Sequence, residues 1–348
     1  MRFIVLLSVM LLTLGGGQPP VSGETATPSP TKLDHILLWG RSIDEVTSIL
    51  TVKLGFQIRP GHDPGGIANR YVRFSDRGYL ELLGITRPNP DMDPGMRADQ
   101  ASLHGAAGSR SFGIYSSALD QVRTALLDNS FAVTPVFTAP TANPDGGGPL
   151  KSSPPDWRLF AFEHSPLSSN FFFIDYAPSY AMQTSAADDQ IVRTHPNSAR
   201  ELSAFWLLSS DAESDRRQLT RMGFDGGRPV HIPRISARGH CVPVGPTYII
   251  ALELDGPGVS ADALSKGGPR VLGVSIAVTD LDRAQRWVER GYQQQLKRYD
   301  GALGVSFLAP TQDDLGLLVE FHSSDHPATL RGCSDPKVEN PYPQEGSG

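Results

Sequence analysis

The chain has 348 residues, which at roughly 150 residues per domain suggests about two domains. Hydrophobic residues make up 39% and charged residues 20%, enough apolar material for a sizeable core and too much for a wholly disordered chain. With 31 Lys plus Arg against 37 Asp plus Glu, a net charge of −6 and no basic run, there is no electrostatic footprint for DNA or RNA, and 35 Gly with 29 Pro favour short strands and turns over a helical bundle.

The N-terminus reads as an export signal. Arg2 supplies a short positive region, Phe3 to Leu14 an apolar one, and Val21-Ser22-Gly23 small residues suited to cleavage, so residues 1–23 are expected to be a signal peptide and the mature protein periplasmic or secreted. The apolar run is short for a bilayer, so no stable membrane span is expected after cleavage; a retained anchor is the alternative. Glu24 to Thr31, rich in Thr and Pro, reads as a disordered spacer.

From there the chain repeats one unit four times. Each copy has an apolar run, an acidic or Ser cap, about ten residues of helical periodicity, and a small residue followed by an aromatic. Ile36 to Trp39 leads through Ser42 and Asp44 to Gly55-Phe56, and Phe112 to Tyr115 through Asp120 to Ser130-Phe131. Phe205 to Leu208 leads through Asp211 to Gly223-Phe224, and Val274 to Val278 through Asp280 to Gly291-Tyr292. A strand feeding a capped helix that ends at a residue able to turn left-handed is a βα start. Helices are therefore predicted near 43–54, 118–129, 211–222 and 281–290. Closing strands are predicted at Tyr79 to Leu83, Phe171 to Tyr176, Tyr248 to Leu252 and Leu317 to Phe321, with another strand before them, clearest at Tyr71 to Phe74 and Trp157 to Phe162. The unit is βαβββ and the fold class α+β.

Two cysteines, Cys241 and Cys333, are too few for a thiolate zinc site or a disulfide scaffold. In an exported protein they form one bridge from the tail to the second half or remain two buried thiols, and the sequence leaves both open. There is no phosphate-cradling loop, serine nucleophile elbow, His-Glu-x-x-His helix or dinucleotide fingerprint. Gly146-Gly147-Gly148 lies in a Pro-rich loop and is punctuation.

The ordered motifs Leu33-Asp34-His35-Ile36, Leu54-Gly55-Phe56, Gly61-His62-Asp63-Pro64-Gly65-Gly66, Asn69-Arg70 and Tyr79-Leu80-Glu81-Leu82 resemble the glyoxalase-like branch of the vicinal oxygen chelate superfamily. Phe172-Phe173-Ile174-Asp175 and His195-Pro196-Asn197 look like the same branch. The resemblance covers roughly residues 32 to 323 and implies four βαβββ modules paired into two half-open barrels. The implied organisation is a first barrel over 32–180, a linker over 181–199, a second barrel over 200–323 and a tail over 324–348.

The resemblance also implies where chemistry sits. In this superfamily a metal is usually held by residues near the start of first strands and in the middle of closing strands, and His35, Glu81 and Asp175 stand at such places, Asp175 with a one-residue shift in register. That set of one His and two carboxylates suits Zn, Mn, Fe or Ni. The second module has Arg110 or Ser111 where the first has His35, so a fourth ligand is missing or weak. The second barrel keeps Glu253 and Glu320 without a partner His and reads as degenerate. Asn69, Arg70, His62 and His195 are further candidates for ligand contact.

Each has a plainer reading: His35 as a strand-start hydrogen bonder, Glu81 or Arg70 as a solvent-facing strand residue, Asp175 as a turn, His195 as a linker turn. Two functions compete. One is a metal-dependent lyase, isomerase or dioxygenase in which the ion polarises a substrate oxygen and Glu81 moves a proton. The other is a metal-free protein that sequesters an apolar small molecule between aromatic walls.

Overall fold

The computed structural model describes residues 31–61, 64–90, 92–138, 156–177, 194–323 and 333. The expected signal peptide, nearly all of the spacer, His62, most of the linker and all of the tail but Cys333 lie outside the described residues.

All four predicted modules are present. The first runs β1 (Thr31–Trp39), α1 (Ile43–Ser48) continued by a π-helical turn at Ile49–Lys53, β2 (Arg59–Pro60), β3 (Ile67–Arg73) and β4 (Tyr79–Ile85). An inserted helix, α2 (Pro94–Ser102), leads to the second: β5 (Gly108–Ser116), α3 (Leu119–Asp128), β6 (Phe137–Thr138), β7 (Trp157–Ala161) and β8 (Asn170–Tyr176). The third is β9 (Ala199–Leu208), α4 (Ala212–Arg221), β10 (Arg228–Ile232), β11 (Ala237–Val244) and β12 (Thr247–Leu254). After α5 (Val259–Gly267) the fourth is β13 (Arg270–Val278), α6 (Leu281–Tyr292), β14 (Arg298–Gly301), β15 (Gly304–Ala309), a short α7 (Gln312–Leu315) and β16 (Leu318–Ser323).

Local chemistry explains the repeats, with two corrections. Ser42, Asp211 and Asp280 each accept a hydrogen bond from a backbone N–H of the first helical turn, a cap that contributes about 1 kcal/mol. Asp120 instead lies within the first turn of α3, where it favours the helix dipole, and Ala118 occupies the cap without a side-chain bond. The predicted stops at Gly55, Ser130 and Gly223 have positive φ. Gly291 does not: α6 runs past it and ends at Gln293, φ 54°. A Cβ on Gly291 would stand 2.4 Å from the Lys53 carbonyl oxygen, so this glycine serves the contact between the first and fourth modules.

In every module the first strand pairs in parallel with the closing strand: β1 with β4, β5 with β8, β9 with β12, β13 with β16. Antiparallel pairing of β1 with β5 joins modules one and two, and pairing of β9 with β13 joins three and four. Each pair makes a half-open barrel, and the two meet where Val271 of β13 pairs with Ser109 of β5.

The two halves differ in what fills them. Along β9, Phe205 and Leu207 face the main core, while Ala204, Trp206 and Leu208 face a second apolar cluster with Ile250, Leu252, Leu272, Leu318, Cys241 and Cys333. Cys241 and Cys333 form a disulfide, which decides the question the sequence left open. Within this packed face Glu320 is fully buried and accepts hydrogen bonds from the Ser275 hydroxyl and the Tyr299 phenol, 2.6 Å each. Burial raises its pKa, and the carboxyl is enclosed in protein.

Candidate active site

In the first half-barrel the equivalent face is open. A cavity of about 1880 Å³, larger than the roughly 300–1,000 Å³ usual for small-molecule sites, is lined by alternate residues of the strands around it: Asn69, Tyr71 and Arg73 of β3, Tyr79, Glu81 and Leu83 of β4, Phe172, Ile174 and Tyr176 of β8. Alternation is what a pleated strand gives, every second side chain on one face.

The register sets these residues in rows. Arg73 lies opposite Tyr79, Tyr79 opposite His35 and His35 opposite Gly113. In the next row Tyr71 lies opposite Glu81 and Glu81 opposite Leu37. A Cβ on Gly113 would stand 3.1 Å from His35 Cε1 and Nδ1 and 2.9 Å from Phe172 Cε2, so the missing side chain leaves room for both rings. His35 stacks on Tyr79 with centroids 4.3 Å apart and meets the edge of Phe172 at 5.2 Å.

β1 departs from strict alternation at this point. Between the pairs Leu33–Ile114 and His35–Gly113 it carries one extra residue, Asp34, a β-bulge that lets two consecutive side chains approach the same site. Asp34 Oδ2 lies 2.6 Å from His35 Nδ1 and accepts a 2.6 Å hydrogen bond from the Tyr176 hydroxyl, which is itself 3.1 Å from the Tyr79 hydroxyl. A carboxylate only accepts, so Nδ1 carries the proton and Nε2 presents its lone pair. Nε2 faces Glu81 Oε2 at 3.7 Å, beyond hydrogen-bond length. Asn69 Nδ2 donates to Glu81 Oε1 at 3.3 Å and to the Tyr71 hydroxyl at 2.8 Å.

The Glu81 side chain keeps 18% of its surface exposed, yet it is surrounded closely enough that loss of hydration pushes its pKa up, against the pull of His35 and the Asn69 amide. Burial likewise raises Tyr79 and Tyr176 well above the usual phenol range, so both hydroxyls stay protonated donors. A second polar group closes the far side of the cavity: Asp99 of α2 accepts from Ser111 Oγ and, at 2.8 Å, from Asn170 Nδ2.

The structure brings His35, Glu81 and Asn69 together and leaves other candidates elsewhere. Asp175 sits between Ile174 and Tyr176, on the opposite face of β8, where Arg158 ties it to Asp120 of α3; the one-residue register choice falls on Tyr176. Arg70, between Asn69 and Tyr71, points outward and bonds Thr47 and Asp44 of the first helical segment. His195 is buried between Phe56 and Phe74, accepts from the Gln57 N–H and donates to the Arg73 carbonyl, 2.9 Å each; it fastens the linker to the first module and is not among the residues lining this cavity. Asp34, Tyr79 and Tyr176 were not singled out from sequence. The run of His35 with an acidic neighbour was the one signal, and strict alternation hides it.

Among the described residues the expected set of His35, Glu81 and Asp175 does not converge on one ion, because Asp175 faces Arg158. His35 Nε2 and Glu81 supply two donors, Asp34 is already the group that orients His35, and among the described residues no three His, Cys, Asp or Glu side chains are grouped to hold an ion.

Residues 33–223, more than half of the chain, match the glyoxalase-like domain family. The protein belongs to that family. No curated protein matches it in sequence. Solved structures similar to it include a mutant of 4-hydroxymandelate synthase from Streptomyces coelicolor (TM-score 0.57, 11% identity, 84% of this chain and 92% of that one). A hypothetical protein from Staphylococcus aureus is similar as well (TM-score 0.53, 13% identity, 84% and 99%), as is a catechol 2,3-dioxygenase (TM-score 0.51, 14% identity, 87% and 98%). At these identities the likeness is one of fold, the paired-module fold of the vicinal oxygen chelate superfamily.

Proposed function

We propose that this glyoxalase-like protein is an enzyme that moves a proton on a small oxygenated molecule, in the open half-barrel, between His35 and Glu81. The observation that carries the reading is the 3.7 Å gap between His35 Nε2 and Glu81 Oε2 at the wall of a large cavity. The two groups are driven to complementary roles. Asp34 holds the His35 proton on Nδ1, which leaves Nε2 a base; burial holds Glu81 toward its protonated form, which makes it an acid.

With a carbonyl oxygen at Glu81 and the adjacent C–H at His35, Nε2 takes the carbon-bound proton and Glu81 protonates the oxygen, giving an enol and an imidazolium ion paired with Asp34. For a 2-hydroxy ketone the enol is an enediol. The imidazolium returns its proton to the former carbonyl carbon while the Glu81 carboxylate takes the proton of the other hydroxyl, which completes an isomerisation and restores both groups. Return of a solvent-exchanged proton to the original carbon, with Glu81 recovering its proton from the enol oxygen, gives exchange without net reaction. The buried Asp34, 2% exposed, faces the imidazolium and stabilises its charge. Metal-free sequestration of an apolar ligand is the second reading, favoured by the cavity's size and aromatic lining. Export is part of the proposal and is supported by the signal-peptide pattern and by the Cys241–Cys333 bridge, since such bridges persist in oxidising compartments.

The test is exchange of α-protons into D2O, followed by proton NMR, across a panel of 2-hydroxy ketones and 2-oxo acids. Wild-type protein is expected to accelerate exchange of at least one member, and His35→Ala to abolish it. Equal rates for the two proteins across the panel would leave sequestration as the better reading.

A further inference from the structure

One cationic side chain of the cavity has no carboxylate partner among the described residues. Arg73 lies on the same face as the catalytic pair, two strands from His35 in the row Arg73, Tyr79, His35. Its guanidinium carbon stands 5.6 Å from the Tyr71 ring centroid and 5.9 Å from that of Tyr79. Its Nε is buried and makes no hydrogen bond, an exception among buried polar atoms. Among the described residues no carboxylate pairs with it, although it lines the cavity. Lys32 and Arg77 line the same rim, where β1 and β4 begin and β3 ends.

A guanidinium that stands against two phenol rings at the wall of a cavity, with no carboxylate partner among the described residues, is a half-built site for a planar anion. A carboxylate matches the guanidinium fork bidentately, and the charge-assisted pair offsets the cost of the buried Nε. We infer that the ligand of this cavity is an aromatic or similarly apolar carboxylate whose acid group binds Arg73 while its reacting carbon lies at His35 and Glu81. Neighbouring strands are about 4.8 Å apart, so two spacings separate the Arg73 and His35 backbones by roughly 10 Å. After the reach of the arginine, that leaves a few bonds between carboxylate and reacting carbon. Tyr71, Tyr79, Trp157, Phe172 and Tyr176 supply the walls for the apolar part. The inference rests on the proposed proton transfer for the position of the reacting carbon, but the acid-binding subsite is read by binding alone.

The test is calorimetric titration of the full chain with benzoate and with benzamide, its uncharged counterpart. Wild-type protein is expected to bind benzoate at least about tenfold more tightly than benzamide. Arg73→Gln should weaken benzoate about 10- to 100-fold and leave benzamide unchanged, Arg73→Lys should recover part of the loss, and Arg77→Gln should change benzoate affinity less than about twofold. No benzoate binding, equal binding of the two probes, or a larger loss in Arg77→Gln than in Arg73→Gln overturns the subsite. Should Arg73→Gln fail to fold, the wild-type contrast between probes and the Arg77→Gln titration still decide. Benzoate binding at Arg73 without proton exchange on any panel compound would refute the proposed reaction and leave the subsite standing.

Discussion

Replacing Asp34 by Asn tests the device that makes His35 a base. Both hydrogen bonds to Asp34, from His35 Nδ1 and from the Tyr176 hydroxyl, end on Oδ2 at 2.6 Å. An amide oxygen in that place can accept both hydrogen bonds, but it is neutral, so the imidazolium formed when Nε2 takes a proton loses its paired negative charge. The expected result is a fall in proton exchange of about 10²- to 10⁴-fold, the usual worth of a positioned base. Stability should change far less, about 1 to 3 kcal/mol, since two charge-assisted hydrogen bonds become neutral ones in a buried site. Long-range 15N–1H spectra of the histidines read the tautomer directly, and thermal unfolding reads the stability. Asp34→Asn that keeps its full exchange rate would refute the role assigned to Asp34.

Gly113→Ala places a methyl 3.1 Å from His35 and 2.9 Å from Phe172; an expected loss of about 1 to 3 kcal/mol in chemical denaturation should come with a displaced His35 resonance. His195 and His322 are each held neutral, with pKa lowered from 6.5 to about 4 by burial. Such a group favours the folded state fully above pH 6.5 and loses that advantage as pH falls toward 4, by about 3 kcal/mol per histidine. Buried carboxyls with raised pKa, among them Asp76, Asp99 and Asp215, act in the opposite sense, so the stability difference between wild type and His195→Asn is the quantity to follow from pH 7 to pH 4, and it should shrink. Reducing the Cys241–Cys333 bridge, which closes a sequence separation of 92 residues, should lower stability by about 4 to 5 kcal/mol in the chain-entropy account. Elemental analysis of protein purified without chelators should find less than one divalent ion per chain, given two donors where three are needed; a stoichiometric ion lost in His35→Ala would assign the pair to metal binding.

What the sequence made legible was whatever depends on local periodicity. The apolar run, cap and stop recur in each module because strand and helix are set within about fifteen residues, so four βαβββ units could be read off directly. Gly291 and Asp120 were misread in detail for the same reason: a stop glycine and a packing glycine look alike, as do a cap and a first-turn acid, until the neighbouring module is in place. The site was legible only in part. His35 and Glu81 approach each other and Asn69 bonds Glu81, while Asp175, expected beside them, does not join them. Asp34 and Tyr176 do not follow from strict alternation, because a bulge in β1 and a one-residue register choice in β8 are set by pairing with strands distant in sequence. That same choice turned Asp175 outward to Arg158. The second barrel was read as degenerate from missing histidines; its apolar packing and its disulfide became visible only when residues 92 apart met.

Glu81 and Glu320 stand at the same place in their modules, the third residue of the closing strand, one at an open cavity and the other sealed among Ser275 and Tyr299. The claim that chemistry belongs to the first half-barrel is tested most directly by the exchange rates of Glu81→Gln and Glu320→Gln on the fastest compound of the panel. Glu81→Gln should lose about 10²-fold or more, and Glu320→Gln, once shown to be folded, should stay within about twofold of wild type. Full activity in Glu81→Gln, or a loss in folded Glu320→Gln that matches or exceeds it, would contradict the account.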